Sequence, residues 1–141
     1  MSTIEHHFTL IMKVRDYECD IQGVVNNAVY QNYMEHTRHE FIKAAGLDFE
    51  VLHKLGIDPM VYRIEIDYKL PLKSGDEFIC TIDFEREGNL KMIFNQTILR
   101  LPDHKLMTRA KVVAVVLKNG KPTTPDTFIE KIYAYFQNSN F

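Results

Sequence analysis

The chain has 141 residues, 45% of them apolar and 26% charged, with a net charge of -2 and a pI near 6.3. That length predicts one domain, residues 1–141, and that balance excludes a disordered chain. The charge gives no field to draw a polyanion, which argues against nucleic acid, and the longest apolar run, Val112 to Leu117, is far short of a membrane span.

Met1 to Leu10 has no basic segment followed by an apolar run, so neither export nor membrane insertion is expected. Cys19 and Cys80 form no CxxC pair and give no disulfide framework or zinc pattern. Reduced thiols and a cytoplasmic location are the expectation.

Phe8, Leu10, Met12 and Val14 alternate with polar neighbours, the period of a half-buried strand. After a loop, Asn26 and Asn27 are helix-capping residues. Tyr30, Tyr33, Met34, Thr37, Phe41, Ala44 and Ala45 then recur at three- and four-residue spacing up to Gly46, which predicts one long apolar helix. Asp48 to Leu55 reads as a further helical turn or two closed by Gly56.

Met60 to Tyr68, Glu77 to Glu87, Leu90 to Arg100 and Leu106 to Leu117 are rich in β-branched and aromatic residues. Short turn-forming stretches separate and close them: Pro71 to Asp76, Gly88-Asn89, Pro102 to His104 and Asn119-Gly120. Together with the first strand they predict an α+β fold, a five-stranded antiparallel sheet covering the long helix. Asp126 to Phe136 is expected to be a short terminal helix with Asp126 as its cap.

The chemistry concentrates in Asp20-Ile21-Gln22-Gly23-Val24-Val25-Asn26-Asn27-Ala28-Val29-Tyr30, a carboxylate before a glycine turn and a helix start. The first amides of a helix have no intrahelical acceptor and carry the positive end of its dipole, so they can hold a carbonyl oxygen that becomes negative. Gly23 permits the tight turn. Across it, Asp20 can attack the carbonyl or draw a proton from a water that does; either route cleaves an ester or thioester.

Asp20-x-x-Gly23-Val24-Val25-Asn26-Asn27-x-x-Tyr30, followed by Glu35-x-x-Arg38, resembles the hotdog-fold acyl-CoA thioesterases of the 4-hydroxybenzoyl-CoA thioesterase type. Plant acyl-carrier-protein thioesterases share the Val-Asn-Asn-x-x-Tyr element. The resemblance runs from about Phe8 to Ile132 and implies a hotdog fold, with the sheet wrapped around one long central helix. It implies Asp20 as the catalytic carboxylate, the amide near Asn27 polarising the thioester carbonyl, and an acyl-CoA substrate entering at a subunit interface. The assembly it implies is a homodimer or homotetramer. Asp20 and Asn27 are thus the expected catalytic residues, and Gly23, Val24, Val25, Asn26, Tyr30 and Glu35 the expected substrate-binding ones. Many bacterial relatives carry histidine where this chain has Asn27, and asparagine can only orient water or substrate by hydrogen bonds. Asp16-Tyr17 also departs from the aromatic residues often found there.

Plainer readings stand beside these. Alone, Asp20 is a turn residue, and Asn26 and Asn27 are caps. Tyr30, Tyr33, Met34 and Phe41 are core residues by spacing, while Glu35 and Arg38 form a surface pair to which the resemblance adds an interface role. His36 and His39 fall on the polar helix face and no third ligand accompanies them, so no metal and no cofactor is expected. Cys19 lacks an activating histidine. The only serines are Ser2, Ser74 and Ser139, and there is no G-x-S-x-G, G-x-G-x-x-G or P-loop motif. Lys69, Arg86, Lys91 and Arg109 are the cations considered for CoA phosphates. The alternatives are an acyl-carrier-protein thioesterase and a hotdog protein that binds acyl-CoA without cleaving it.

Overall fold

The structure is a computed structural model that describes residues 6–138. Ser2, Ser139 and the first residues of the N-terminal segment lie outside that range.

Strand β1 (Phe8–Lys13) leads into a loop with one 3-10 turn (Asp16–Glu18), and the long helix α1 spans Asn27–Ala44. Asn26 is its cap, its Oδ1 accepting from Ala28 N–H (3.0 Å). Gly46, at φ +87°, supplies the left-handed residue just past its end. Helix α2 (Phe49–Lys54) is capped by Asp48 and followed by Gly56 at φ +77°. The strands β2 (Ile57–Tyr68), β3 (Glu77–Glu87), β4 (Lys91–Arg100) and β5 (Lys105–Lys118) follow, then β6 (Lys121–Thr123) and α3 (Asp126–Asn138).

The sheet is antiparallel in the order β1-β3-β4-β5-β2, with β6 beside β5 beyond the end of β4. Three expectations change. The sheet has six strands, because Asn119 (φ 51°) and Gly120 (φ 81°) form a tight turn that returns the chain as β6. Strand β2 starts at Ile57 and contains Pro59, tolerated because β2 is an edge strand. Asp126 is the first residue of α3 and not its preceding cap; Ile129 N–H donates to Pro125 O (2.9 Å).

Helix α1 lies against one sheet face, burying Tyr30, Tyr33, Met34, Thr37, Arg38, Phe41 and Ile42, an unbroken stripe at three- and four-residue spacing. Phe41 packs with Ile82, Phe94 and Val112 at one end of the core, and Tyr30, Tyr33 and Met34 with Phe78, Cys80 and Leu72 at the other. Ala44, counted with the apolar positions, is exposed. Because β2 pairs with β5 and not with β3, residues 69–76 must cross beneath the N-terminal end of α1. That crossover builds the site.

Candidate active site

Residues 19–25 fold into a miniature hairpin. Cys19 bridges Val25, Asp20 N–H donates to Val24 O (2.8 Å), and Gly23 N–H donates to Asp20 O (2.9 Å) with Gly23 at φ +81°. The Asp20 carboxylate braces its own turn: Oδ1 accepts from Gln22 N–H (2.9 Å) and Val24 N–H (3.4 Å). Oδ2 has no partner among the described residues. The turn role and an open carboxylate oxygen therefore coexist in one side chain.

The crossover holds this hairpin against the helix. Val25 N–H donates to Leu72 O (2.9 Å), and Leu72 N–H donates to Tyr30 Oη (2.9 Å). From the other side, Asn26 N–H donates to Glu18 O (3.1 Å), and Tyr33 Oη donates to Glu18 Oε1 (2.7 Å). Burial, then this bond to a carboxylate, push the Tyr33 hydroxyl well above its usual pKa, so it stays a donor.

Of the first helical amides, Ala28 N–H is taken by Asn26 Oδ1 and Val29 N–H by Asn26 O (2.9 Å). Asn27 N–H has no partner among the described residues, while the carbonyl of the same residue accepts from Tyr68 Oη (3.2 Å). The Asn27 peptide thus presents an unspent donor at the positive end of an 18-residue helix.

A cleft of about 470 Å³ opens here, lined by Asp20, Val24, Asn26, Asn27, Tyr30 and Tyr68 among others, with Lys69, Leu70 and Pro71 from the crossover. Asp20 is exposed, yet it borders a cavity shared with the helix tip. A carboxylate and an unpaired N–H on one cleft can attack and polarise the same carbonyl.

Of the sequence-predicted residues, Asp20, Val24, Val25, Asn26, Asn27 and Tyr30 meet at this cleft and Gly23 forms the turn beside it. Val25 and Tyr30 are buried, at 3% and 2% exposure, and support the cleft as core residues. Glu35 is elsewhere: it lines a second cavity of about 190 Å³ with Arg38, Ile42, Phe49, Met60, Met92 and Phe94 among others. Arg38 is not half of a surface pair but buried, donating from Nη1 to Gln96 Oε1 (3.0 Å). His36 and His39 are exposed. Of the four cations, Lys69 alone lines the cleft; Arg86 is held by Asp126 and two carbonyls, Lys91 by Glu87, and Arg109 borders a hollow with Glu65 and Asp67. Cys19 is free, and burial raises its pKa, which disfavours the nucleophilic thiolate. Tyr68, Leu70 and Leu72 were missed, because a turn signal does not tell where a crossover runs.

Residues 14–133 match the family model of the thioesterase-like superfamily. An acyl-acyl carrier protein thioesterase of Arabidopsis thaliana chloroplasts is 35% identical over 127 residues, 89% of this chain and 68% of that protein. The chain thus spans about two thirds of that relative. The long-chain acyl-CoA thioesterase FadM of Escherichia coli is 27% identical, over 78% of this chain and 84% of that one. A thioesterase of Thermus thermophilus crystallised with coenzyme A and zinc superposes with a TM-score of 0.77 at 25% identity, covering 94% of this chain and 97% of that one.

Proposed function

Since the chain belongs to the thioesterase-like superfamily and is a hotdog-fold thioesterase, we propose that it hydrolyses an acyl-CoA with Asp20 as the catalytic carboxylate and Asn27 N–H as the oxyanion donor. The observation that carries this reading is the shared cleft of the Asp20 carboxylate and the unpartnered Asn27 amide. In either form of the reaction the C–S bond breaks and CoA leaves as thiolate. Asp20 attacks the carbonyl carbon to form an anhydride that water then opens, or it takes a proton from the attacking water. The Asn27 N–H holds the oxygen as it becomes negative, and its side chain orients substrate or water. Lys69, on the cleft wall, is the cation placed to meet a phosphate of CoA.

The complete site is assembled from two copies. Strand β2 is a 12-residue edge strand with Met60, Val61, Tyr62, Ile64 and Tyr68 all exposed. Such an edge needs a cover, and a second β2 pairing antiparallel about a two-fold axis supplies it. Tyr68, at one end of β2, borders the Asp20 cleft; Pro59, Met60 and Val61, at the other, border the apolar cavity with Glu35. Antiparallel pairing therefore sets the cleft of one copy beside the cavity of the other, joining a reactive carboxylate to an acyl-sized apolar chamber. On this reading Glu35 acts on the neighbour's substrate.

The identity to the Arabidopsis protein supports a second reading, in which the acyl group arrives on acyl-carrier protein. Thiol release from matched acyl-CoA and acyl-carrier-protein substrates separates the two. On the preferred thioester, Asp20→Asn is expected to lower kcat by about 10²-fold or more. Full turnover by that variant refutes the catalytic assignment.

A further inference from the structure

Arg38 is 8% exposed, yet among the described residues its guanidinium makes one hydrogen bond, to Gln96 Oε1, and no ion pair. Gln96 is itself fully buried, with its Nε2 donating to Met34 O (3.1 Å). A guanidinium has five N–H donors, and burying one without an anion or a full set of acceptors is costly. Burial lowers its pKa, an effect that nearby Glu35 opposes. The side chain nevertheless stays charged.

The unspent donors are not sealed in. Thr108 Oγ1 is the one wholly enclosed side-chain polar atom without a partner among the described residues, so the remaining Arg38 nitrogens reach open space. The space that Arg38 borders is the 190 Å³ cavity, whose other walls include Ile42, Phe49, Met92, Phe94 and Phe128. A cation with spare donors thus stands in a chamber whose walls are mostly apolar, with Glu35 and His39 its other polar members.

Resting on the thioester hydrolysis proposed above, we infer that Arg38 sets acyl specificity: it hydrogen-bonds a hydroxyl or oxo oxygen carried by the acyl group inside this cavity. A plain alkyl chain fills the apolar walls but leaves the guanidinium unpaired. A carboxylate-tipped chain pairs with Arg38 but meets the negative charge of Glu35 on the same wall. A neutral acceptor pairs with Arg38 and sets no negative charge against Glu35. A pocket built around a polar group rejects ligands that leave it unpaired much more strongly than an apolar pocket rejects a missing methylene.

The test uses the full-length protein and four substrates of equal carbon number: decanoyl-CoA, β-oxodecanoyl-CoA, β-hydroxydecanoyl-CoA and ω-hydroxydecanoyl-CoA. Wild type is expected to favour at least one oxygenated chain over decanoyl-CoA by about tenfold or more in kcat/KM. Arg38→Met, of similar length and without donors, is expected to bring that ratio close to one, and Arg38→Lys to retain part of it. The readout is a ratio because general damage to the fold lowers both substrates together. Calorimetric affinities of Asp20→Asn for the same substrates read the preference without turnover and without altering Arg38. Equal affinity and equal kcat/KM for plain and oxygenated chains overturn the inference, as they would if an acidic side chain of a second copy filled the site; a preference that survives Arg38→Met also overturns it. Absence of hydrolysis with every thioester instead defeats the function proposed above, and the affinities then decide the role of Arg38 alone.

Discussion

Replacing Tyr30 by Phe keeps the buried ring and deletes one oxygen. That oxygen accepts from Leu72 N–H at 2.9 Å, and Leu72 is 0% exposed, so the N–H has no solvent contact of its own. A buried donor stripped of its partner costs about 1–3 kcal/mol. The ring contacts with Tyr33 and Tyr68 remain, so no cavity penalty is added. For a chain of this size the loss corresponds to a fall in Tm of roughly 4 to 12 °C, read by circular dichroism. Tyr68→Phe is the control: its hydroxyl also meets a backbone group, Asn27 O, but the residue is 43% exposed and water can replace it, so its cost stays below about 1 kcal/mol. Since the Leu72 segment is also the cleft wall, Tyr30→Phe is expected to raise KM. A Tyr30→Phe protein melting within about 1 °C of wild type would refute the claim that this bond anchors the crossover.

Gly23→Ala tests the turn itself: no atom lies within 4 Å of the added Cβ, so the cost is the positive φ alone, about 1–2 kcal/mol, read as a lower denaturation midpoint. Burial pushes the Cys80 thiol up to about 11. Its folded pKa lies above the unfolded one, so its contribution to stability is complete below about pH 8.5 and is lost as pH rises towards 11, at up to about 1.4 kcal/mol per pH unit. Urea denaturation across that window is expected to show a steeper loss for wild type than for Cys80→Ala.

Local pattern carried most of the elements. Apart from the start of β2, the short β6 and the cap of α3, the strand and helix bounds follow from period, turn residues and the caps Asn26 and Asp48, all of which act within a few residues of themselves. Pairing is non-local, and no short-range signal marks β2 as the partner of β5. The motif from Asp20 to Tyr30 gathered its own residues because they are contiguous, whereas Tyr68 reaches the cleft from the end of β2, and Leu70 and Pro71 from the crossover that Leu72 N–H ties to Tyr30. Arg38 was legible and misread. It stands four residues after Met34 and four before Ile42, on the buried stripe, but its charge assigned it to the polar face; spacing outweighed residue type because Gln96 waits beneath it.

The central claim, a cleft of one copy working on an acyl group held by the other, is tested most directly by mixing two inactive proteins. One carries Asp20→Asn with its cavity intact; the other keeps Asp20 and has its cavity obstructed by Phe49→Trp, a partly buried lining position on α2, away from the β2 edge. After unfolding and joint refolding, half of the dimers pair unlike copies, and each of those holds one site with both a good carboxylate and a good cavity. Thiol release is then expected to return to about one quarter of the wild-type rate. A mixture as inactive as its two components would contradict the shared site.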